Sequence, residues 1–301
     1  MKPAPFEYHA PRSLAEALEL LGRLGGEAKV LAGGQSLIPV MNFRLAQPAA
    51  LVDVNRVPEL DFLEPAADGG LRIGALVRQR RLERDPEVAR RSPLLAAAVP
   101  WVAHPQIRNR GTIGGSLAHA DPAAELPCLA VALDARLRLE RAGGSRWVPA
   151  REFFHGLFTT ALAEDEVLAE VELPPWPASG EGWSFQEVSR RRGDYAQVGL
   201  AARLALGGDG RIRGARLVYL SVGSAPVEAT AAAALLEGEA PGRAAFAAAA
   251  EKAAAEEIRP ADDVHATAAF KRHLARVLTV RALEEAAARA RGAAEDGRQM
   301  S

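Results

Sequence analysis

The stretches AGGQSL (32–37) and TIGGSL (112–117) decide the fold, and they are two glycine turns about 80 residues apart. Each has a Gly-Gly pair between apolar neighbours, followed by a serine and a leucine. We predict that such a pair forms a buried turn whose backbone N–H groups point into one concavity, which suits the oxygens of a pyrophosphate. A tight bend in a core is the alternative for either turn alone, but the recurrence favours one shared ligand.

Four other Gly-Gly pairs serve as internal controls for this interpretation. They begin at residues 25, 69, 143 and 207 and lie beside charged or small polar residues. Glycine at such places permits positive φ in an exposed turn. Neither decisive turn has the G-x-G-x-x-G pattern of dinucleotide sites, and the chain has no G-x-x-x-x-G-K-[ST] loop. The residues alone therefore predict a diphosphate-bearing ligand without naming it.

The rest of the chain predicts mixed α and β elements in two parts. SLAEALELLGRLG (13–25) predicts an amphipathic helix, whereas AKVL, AALVDVN and LRIGAL predict strands. Prolines and glycines in LPPWPASGEG (173–182) indicate a domain boundary. Three further strands then predict an antiparallel sheet with a hairpin turn at GGDG (207–210). From Thr230 onward, an alanine-rich pattern predicts two or three packed helices.

Composition limits the classes of function. The net charge of −1, with Arg interspersed among Asp and Glu, disfavours nucleic acid as a partner. No stretch approaches the roughly 20 apolar residues of a membrane span, and no export signal opens the chain, so we expect a cytoplasmic protein. Cys128 is the only cysteine, so this chain alone does not supply the four ligands of an iron–sulfur cluster. His119 and Asp121 lack a third ligand at suitable spacing, and we predict no metal site.

AGGQSL together with RNRGTIGGSLAHADPAAELP (108–127) resembles the paired FAD-binding segments of the vanillyl-alcohol-oxidase or PCMH-type flavoprotein fold. More narrowly, it resembles the medium subunit of aerobic carbon monoxide dehydrogenases and of bacterial xanthine dehydrogenase-like enzymes. The stretch SFQEVSRRRGDYAQVG (184–199) is also similar to the C-terminal domain of that family. The resemblance implies an α+β protein with a two-lobed FAD-binding domain over 1–176. A smaller α+β domain with a three-stranded antiparallel sheet and helices follows over 177–290. The small polar residues of 291–301 predict a disordered tail.

The resemblance also implies which residues bind FAD. The two turns and their flanks contribute Lys29, Leu31, Ala32, Gly33, Gly34, Gln35, Ser36, Leu37, Val102, Ala103, Gly111, Thr112, Ile113, Gly114, Gly115 and Ser116. Asp121 and Glu125 would accept hydrogen bonds from ribose and ribityl hydroxyls. Gln186 would lie at the pyrimidine edge of the flavin, Tyr195 over the ring, and Leu168 beside it. Some relatives have Lys in place of Gln186, and an amide there predicts a lower flavin potential.

The implied function is that of an FAD-binding electron-transfer subunit in a heterotrimeric molybdenum hydroxylase, with no catalytic acid or base of its own. Electrons would arrive from [2Fe–2S] clusters on a small partner subunit and leave to an external acceptor. A large partner subunit would hold the molybdopterin cofactor, and a dimer of heterotrimers would form a heterohexamer. The alternatives are a stand-alone FAD-dependent oxidoreductase, for which only Tyr195 is an obvious acid or base, and a non-catalytic nucleotide-binding assembly protein. The intact glycine turns argue against the latter.

Overall fold

The computed structural model describes residues 1–177 and 180–299, with side chains of the last helix described up to residue 293. The chain divides into two compact units. The first unit comprises Met1–Ser92, His104–Ala120 and Asp134–Pro175, and the second comprises Pro93–Ala103, Asp121–Leu133 and Trp176–Ser301. The second unit thus includes two segments from the N-terminal half of the chain, so the division does not follow one cut in the sequence.

Short helices dominate the first half of the described chain, and longer helices occupy its end. The helices are α1 (Leu14–Leu24), α2 (Leu37–Asn42), α3 (Gln79–Arg84), α4 (Pro86–Arg91), α5 (Pro93–Ala98), α6 (Pro105–Arg108), α7 (Ile113–His119), α8 (Glu125–Ala132), α9 (Thr230–Ala234), α10 (Arg243–Lys252) and α11 (Ala268–Gln299). The strands are β1 (Glu7–His9), β2 (Ala28–Leu31), β3 (Ala50–Asp53), β4 (Leu63–Pro65), β5 (Leu71–Gly74), β6 (Arg136–Arg141), β7 (Gly144–Pro149), β8 (Phe154–Gly156), β9 (Thr159–Thr160), β10 (Val167–Leu173), β11 (Glu181–Ser189), β12 (Ala196–Leu206), β13 (Ile212–Leu220) and β14 (Val227–Glu228).

The first unit contains two principal sheets, which correspond to the two predicted lobes. A parallel sheet has the order β1-β3-β2, and an antiparallel sheet has the order β4-β5-β10-β6-β7. Helix α1 begins as predicted, because the Ser13 hydroxyl accepts a hydrogen bond from Glu16 N at 3.2 Å. Leu18 of α1, Val52 of β3 and Val167 of β10 belong to one buried apolar cluster. This cluster joins the two sheets around the end of β2, where the first glycine turn begins.

The second unit contains one antiparallel sheet of order β11-β12-β13-β14, against which α11 packs. The three predicted strands are confirmed, and the turn at 207–210 joins β12 to β13 as predicted, with Gly207 N donating to Arg211 O at 2.7 Å. The prediction of a three-stranded sheet missed β14, a fourth strand of two residues. Its brevity explains the omission, because two residues carry no alternating pattern. The α+β fold class is confirmed.

Helix α11 is 32 residues long and extends to Gln299. The predicted disordered tail at 291–301 therefore overlaps a stretch that the structure describes as helical, while residues 300 and 301 lie outside the described residues. Alanine, arginine and glutamate have high helix propensity, so the helix continues without an apolar face to direct it. Among the helices that the structure describes, none is both long enough and apolar enough to cross a membrane.

The close packing of α11 on β11 leads to a stability prediction at Gly182. A β-carbon at this position would lie 1.8 Å from Ala286 O and 2.5 Å from Ala290 N, so Gly182→Ala forces strand and helix backbones apart. Overpacking of this kind costs about 1–3 kcal/mol. We expect the free energy of unfolding, measured in urea by tryptophan fluorescence, to fall by at least that amount.

The matched control for this prediction is Gly214→Ala in β13, where a β-carbon would meet no atom within 4 Å. Both positions are strand glycines in the same unit, so the intrinsic strand propensity of alanine affects both variants equally. Equal stability of the two variants would show that α11 does not lie against Gly182 as described.

Candidate functional site

A cavity of about 370 Å³ lies beside the first glycine turn in the first unit. Its lining residues come from the end of β2, from α2, from the end of β3 and from the segment before the second turn. They are Leu31, Ala32, Gly33, Gly34, Gln35, Ile38, Pro39, Asn42, Asp53, Asn55 and Arg110. The structure thus brings the first predicted turn and the approach to the second turn to one concave site.

The two glycine segments meet backbone to backbone. A β-carbon on Gly33 would lie 2.5 Å from the carbonyl oxygen of Arg110 and 2.8 Å from the Cα of Gly111. Gly34 adopts φ of 72°, a left-handed conformation that favours glycine. The first Gly-Gly pair therefore combines a close approach at one residue with an unusual backbone conformation at the next, and either feature alone selects against other side chains.

The first turn leaves backbone donors available. In the described part of the chain, the N–H groups of Gly34, Gln35 and Ser36 have no hydrogen-bond acceptor. Ile38 N is the first donor that bonds back into the turn, at 3.2 Å from Gly34 O. Consecutive unsatisfied N–H groups in a glycine turn form an anion-binding concavity. This turn therefore has the free donors that an anion site requires.

The second turn has its backbone donors hydrogen-bonded within the protein, unlike the open concavity that was predicted. Ile113 N donates to Val77 O at 3.1 Å, and Gly114 N donates to Ala75 O at 2.9 Å. Thr112 caps α7, because its hydroxyl accepts from Gly115 N at 3.1 Å. These N–H groups are therefore satisfied by the protein and do not point unpaired into a concavity. This turn has the hydrogen bonding of a capped helix start.

Gly114 is required in the second turn by close packing. A β-carbon there would lie 2.4 Å from the Ala75 β-carbon, so α7 begins directly against the segment that follows β5. The Gly-Gly pair at 69–70, which was predicted to be an exposed turn only, also contains a close approach. A β-carbon on Gly70 would lie 2.3 Å from Leu173 O. Local composition did not reveal these close approaches, which involve residues distant in sequence.

The remaining predicted residues of the first unit occupy different environments. Lys29 is exposed on β2, while Ser36 and Leu37 are half-buried at the start of α2. Leu168 is buried on β10, where its register partner is Leu139 of β6. Of these four residues, none lines the cavity beside the first turn.

Sequence reasoning missed the polar residues at the carboxyl end of β3. Asp53 accepts a hydrogen bond from the Tyr8 hydroxyl at 2.6 Å, and Asn55 Nδ2 donates to Ala32 O at 2.7 Å. Although burial opposes the shift, hydrogen bonds from Tyr8 and Asn55 lower the pKa of Asp53. The signal was present in VDVN (52–55), because polar residues at the carboxyl end of a parallel strand commonly mark a ligand site.

In the second unit, the structure brings three of the predicted residues together. Asp121 Oδ1 accepts from Ala123 N at 2.9 Å, and Glu125 lies in the first turn of α8. Partial burial, followed by the charges of Asp121 and Glu125, raises the pKa of Tyr195. The phenol of Tyr195 thus lies within the electrostatic influence of the Asp121 and Glu125 carboxylates.

Two further predicted residues lie in another segment of this unit. Val102 is buried, and Ala103, which follows it, has φ of 42°.

Gln186 makes contacts that its predicted role did not include. Its amide nitrogen donates to Glu285 Oε2 at 2.7 Å and to Ser184 Oγ at 3.2 Å. Glu285 also pairs with Arg289, whose guanidinium lies 3.7 Å from the ring centroid of Trp183. The amide donors of Gln186 therefore help to join β11 to α11.

A buried carboxylate adjacent in sequence, Glu187, was also missed. It is 7% exposed, and both of its carboxylate oxygens lack a hydrogen-bond partner in the described part of the chain. Burial, together with the charge of Glu125, raises the pKa of Glu187 to about 9. The clue in the sequence was a glutamate within an otherwise apolar and polar-neutral strand, SFQEVS (184–189). At neutral pH this side chain holds a proton.

The raised pKa of Glu187 predicts a pH-dependent stability. Between the ordinary value of 4.5 and the folded value of about 9, the folded protein retains a proton that the unfolded chain releases. This group therefore lowers the free energy of unfolding as pH rises, by up to about 1.4 kcal/mol per pH unit. We expect Glu187→Gln to unfold with a shallower pH dependence than the parent protein in urea titrations from pH 5 to pH 9.

Glu237→Gln, at an exposed position of the second unit, is the control and should retain the parental slope. A parental slope in Glu187→Gln as well would mean that Glu187 is ionised in the folded protein.

Among the described residues, no group of three or more His, Cys, Asp or Glu side chains could hold a metal ion. Cys128 is fully buried in α8, its thiol donates to Val218 O at 3.1 Å, and burial raises its pKa. The thiol is therefore held in its protonated, unreactive form.

Two protein-family models match the chain. The model of the FAD binding domain in molybdopterin dehydrogenase matches residues 4–176, and the model of the CO dehydrogenase flavoprotein C-terminal domain matches residues 183–286. The first match covers the cavity and both glycine turns. The second covers β11 to β14 and most of α11.

Relatives of known activity are similar over nearly the full chain. The 6-hydroxypseudooxynicotine dehydrogenase complex subunit alpha of Paenarthrobacter nicotinovorans is 41% identical over 291 residues, which is 97% of each chain. The carbon monoxide dehydrogenase medium chain of Hydrogenophaga pseudoflava is 41% identical over 289 residues, 96% of this chain and 99% of the relative. A solved structure of carbon monoxide dehydrogenase from Hydrogenophaga pseudoflava, which lacks the Mo-pyranopterin moiety of the molybdenum cofactor, matches with a TM-score of 0.92 at 43% identity, covering 96% of this chain and 99% of that chain.

Proposed function

Because the chain belongs to the FAD-binding family of molybdopterin dehydrogenases, we propose that it is the electron-transfer subunit of a heterotrimeric molybdenum hydroxylase. It is an oxidoreductase flavoprotein subunit, and we assign its FAD-binding domain to 1–176 and its C-terminal domain to 177–290. The relatives are described as a medium chain and as a subunit of a complex, which supports a role within an assembly over that of a stand-alone oxidase.

The contact between Gly33 and the Arg110–Gly111 backbone is the observation that carries this proposal. In this contact, a turn with three N–H groups that have no acceptor in the described part of the chain lies at the wall of a cavity. A diphosphate presents several negative oxygens to such donors, and glycine lets it approach the backbone closely. The residues present therefore fit the diphosphate of FAD.

The other residues that the resemblance implies would hold the remainder of the cofactor. Asp121 and Glu125 suit ribose and ribityl hydroxyls, which are hydrogen-bond donors. Tyr195 would cover the ring, and the carbonyl oxygen of Gln186 would serve at the pyrimidine edge, because its N–H donors are used by Glu285. Leu168, in the first unit, would pack beside the ring. Bound FAD supplies a group that exchanges electrons singly with an iron–sulfur centre and in pairs with an external acceptor.

The partners follow from what this chain does not provide. One cysteine, Cys128, is too few for an iron–sulfur cluster, and its thiol is buried. We therefore assign [2Fe–2S] clusters to a small subunit and the molybdopterin cofactor to a large subunit, where substrate would be oxidised. The proposed complex is a dimer of heterotrimers. Catalytic acid–base chemistry on the substrate belongs to the large subunit in this scheme.

The direct test is spectroscopic. The purified full chain, produced alone and together with its co-assembling subunits, should show flavin absorption near ~450 nm that bleaches on addition of dithionite. Extraction of the bleached sample and reoxidation should return FAD, identified by chromatography. A colourless chain that takes up no FAD, alone or in complex, would overturn the proposed function.

A variant of the first turn tests its place in FAD binding. Gly33→Ala puts a β-carbon 2.5 Å from Arg110 O, so either the turn or the 110–111 segment must move. Overpacking of about 1–3 kcal/mol corresponds to a loss of FAD affinity of roughly 5- to 150-fold. The measurement is the ratio of flavin to protein absorbance after dialysis.

Gly144→Ala is the control for this variant, because it lies in the same unit and a β-carbon there meets no atom within 4 Å. It should retain the parental FAD content. Full flavin occupancy in Gly33→Ala would place the diphosphate elsewhere.

A further inference from the structure

Arg78 links the two segments that meet at the cavity. Its guanidinium donates to Asn55 Oδ1 at 2.6 Å and, through its other terminal nitrogen, to the carbonyl oxygen of Arg110. Asn55 in turn donates to Ala32 O at 2.7 Å. A continuous chain of hydrogen bonds therefore runs from the first glycine turn, through Asn55 and Arg78, to the backbone that contacts Gly33.

The backbone at Arg78 is itself anchored to the second turn. Arg78 and Thr112 form an antiparallel bridge, and Gln79 N donates to Gly111 O at 2.9 Å. Gly111 also lies against Gln79, because a β-carbon there would be 2.5 Å from Gln79 Oε1. The backbone of Arg78 is thus held in place, so that forming the hydrogen bonds of the guanidinium costs less conformational entropy.

The charge of Arg78 is not neutralised by direct ion pairing. Neighbouring arginines pair with carboxylates, as Arg80 and Arg108 do with Glu83 at 2.7 and 2.9 Å. Within the described residues, Arg78 and Arg110 have no carboxylate at ion-pair distance. Burial and the nearby charge of Arg110 lower the pKa of Arg78. The more distant charges of Asp61 and Asp53 act in the opposite direction and offset this effect in part. An anionic ligand would relieve the remaining repulsion between the two arginines.

We propose that Arg78 is a positioning residue for the diphosphate of FAD, which holds the first glycine turn in shape through Asn55 and Arg110 O and contributes positive potential to the cavity. This inference rests on the proposed function. The guanidinium geometry is essential, because two acceptors in different directions are bonded by two nitrogens of one planar group. Arg110 has the complementary role: the residue lines the cavity, and its carbonyl oxygen is part of the link.

The experiment measures the dissociation constants of FAD and of riboflavin, which lacks the diphosphate, for the flavin-free full chain. Removing a hydrogen bond to a charged group corresponds to a loss of about 10- to 100-fold, and we expect this loss of FAD affinity in Arg78→Met. Riboflavin binding should change by less than about 3-fold, which is within the scatter of surface substitutions. The control is Arg81→Met on α3, the helix that begins directly after Arg78, where Arg81 pairs with Asp61 and Asp85 at the surface.

Two further variants distinguish the effect of the hydrogen-bond link on FAD affinity from the effect of positive charge. Asn55→Ala breaks the link but keeps the charge, so it should weaken FAD binding and retain the parental dependence on KCl concentration. Arg110→Met keeps the carbonyl and loses the charge, so it should flatten that dependence. Combining Asn55→Ala with Arg78→Met should cost no more than the larger single effect, because both variants break one chain of hydrogen bonds.

Rescue by a conservative substitution completes the test. Arg78→Lys retains the charge but does not bond both acceptors as a planar fork, so it should restore the KCl dependence without restoring full affinity. If Arg78→Met does not fold, Arg78→Lys and Asn55→Ala carry the same comparison. Parental FAD affinity in Arg78→Met, or equal losses for FAD and riboflavin, would overturn the positioning role while leaving the proposed function intact. A parent chain that binds no FAD would overturn both.

Discussion

The rest of the candidate site depends on the backbone contact between Gly33 and the Arg110–Gly111 segment. With a β-carbon only 2.5 Å from a carbonyl oxygen, no residue other than glycine fits at position 33 without displacement. The contact joins the end of a parallel strand to the approach of a helix that begins almost 80 residues later. The donors of the first turn, the cavity beside it and the hydrogen bonds of Arg78 all depend on this closeness.

The two glycine turns are similar in sequence but differ in hydrogen bonding and packing. The first turn keeps donors unsatisfied, an arrangement that costs free energy unless a ligand or water accepts the hydrogen bonds. The second turn satisfies its donors with Val77 and Ala75 and uses glycine for close packing. One turn is therefore suited to hold an anion, and the other to hold the first in place.

Ionisable groups lack a compensating partner at two separate points of the described chain. In the first unit, Arg78 and Arg110 lie close together with no carboxylate at ion-pair distance, and in the second unit Glu187 is buried near the charge of Glu125. Elsewhere, carboxylates such as Glu170 and Glu83 are paired with arginines. Uncompensated groups of this kind are retained where binding or chemistry requires them more often than where folding does. Both departures occur among or next to the residues that we assign to FAD.

The sequence predicted the strands, the first helix and the domain class because these depend on local periodicity, capping and turn residues. Ser13 and the turn at 207–210 are examples, since a cap or hairpin signal lies within a few residues. It missed β14, which is too short for a pattern, and it misjudged Gly70 and the donors of the second turn. Those errors share one cause: the atoms that decide them belong to residues distant in the chain.

What the sequence by itself determined was the type of ligand and the turn proposed to anchor it, because two matching glycine turns and a family resemblance are local features of the residues. Only the tertiary structure decided which turn keeps its donors free, that Arg78 links them, that Gln186 is held by Glu285, and that Glu187 is buried without a partner. The physical reason is that hydrogen-bond satisfaction, close backbone contact and desolvation are set by neighbours in space, which no single stretch of sequence contains.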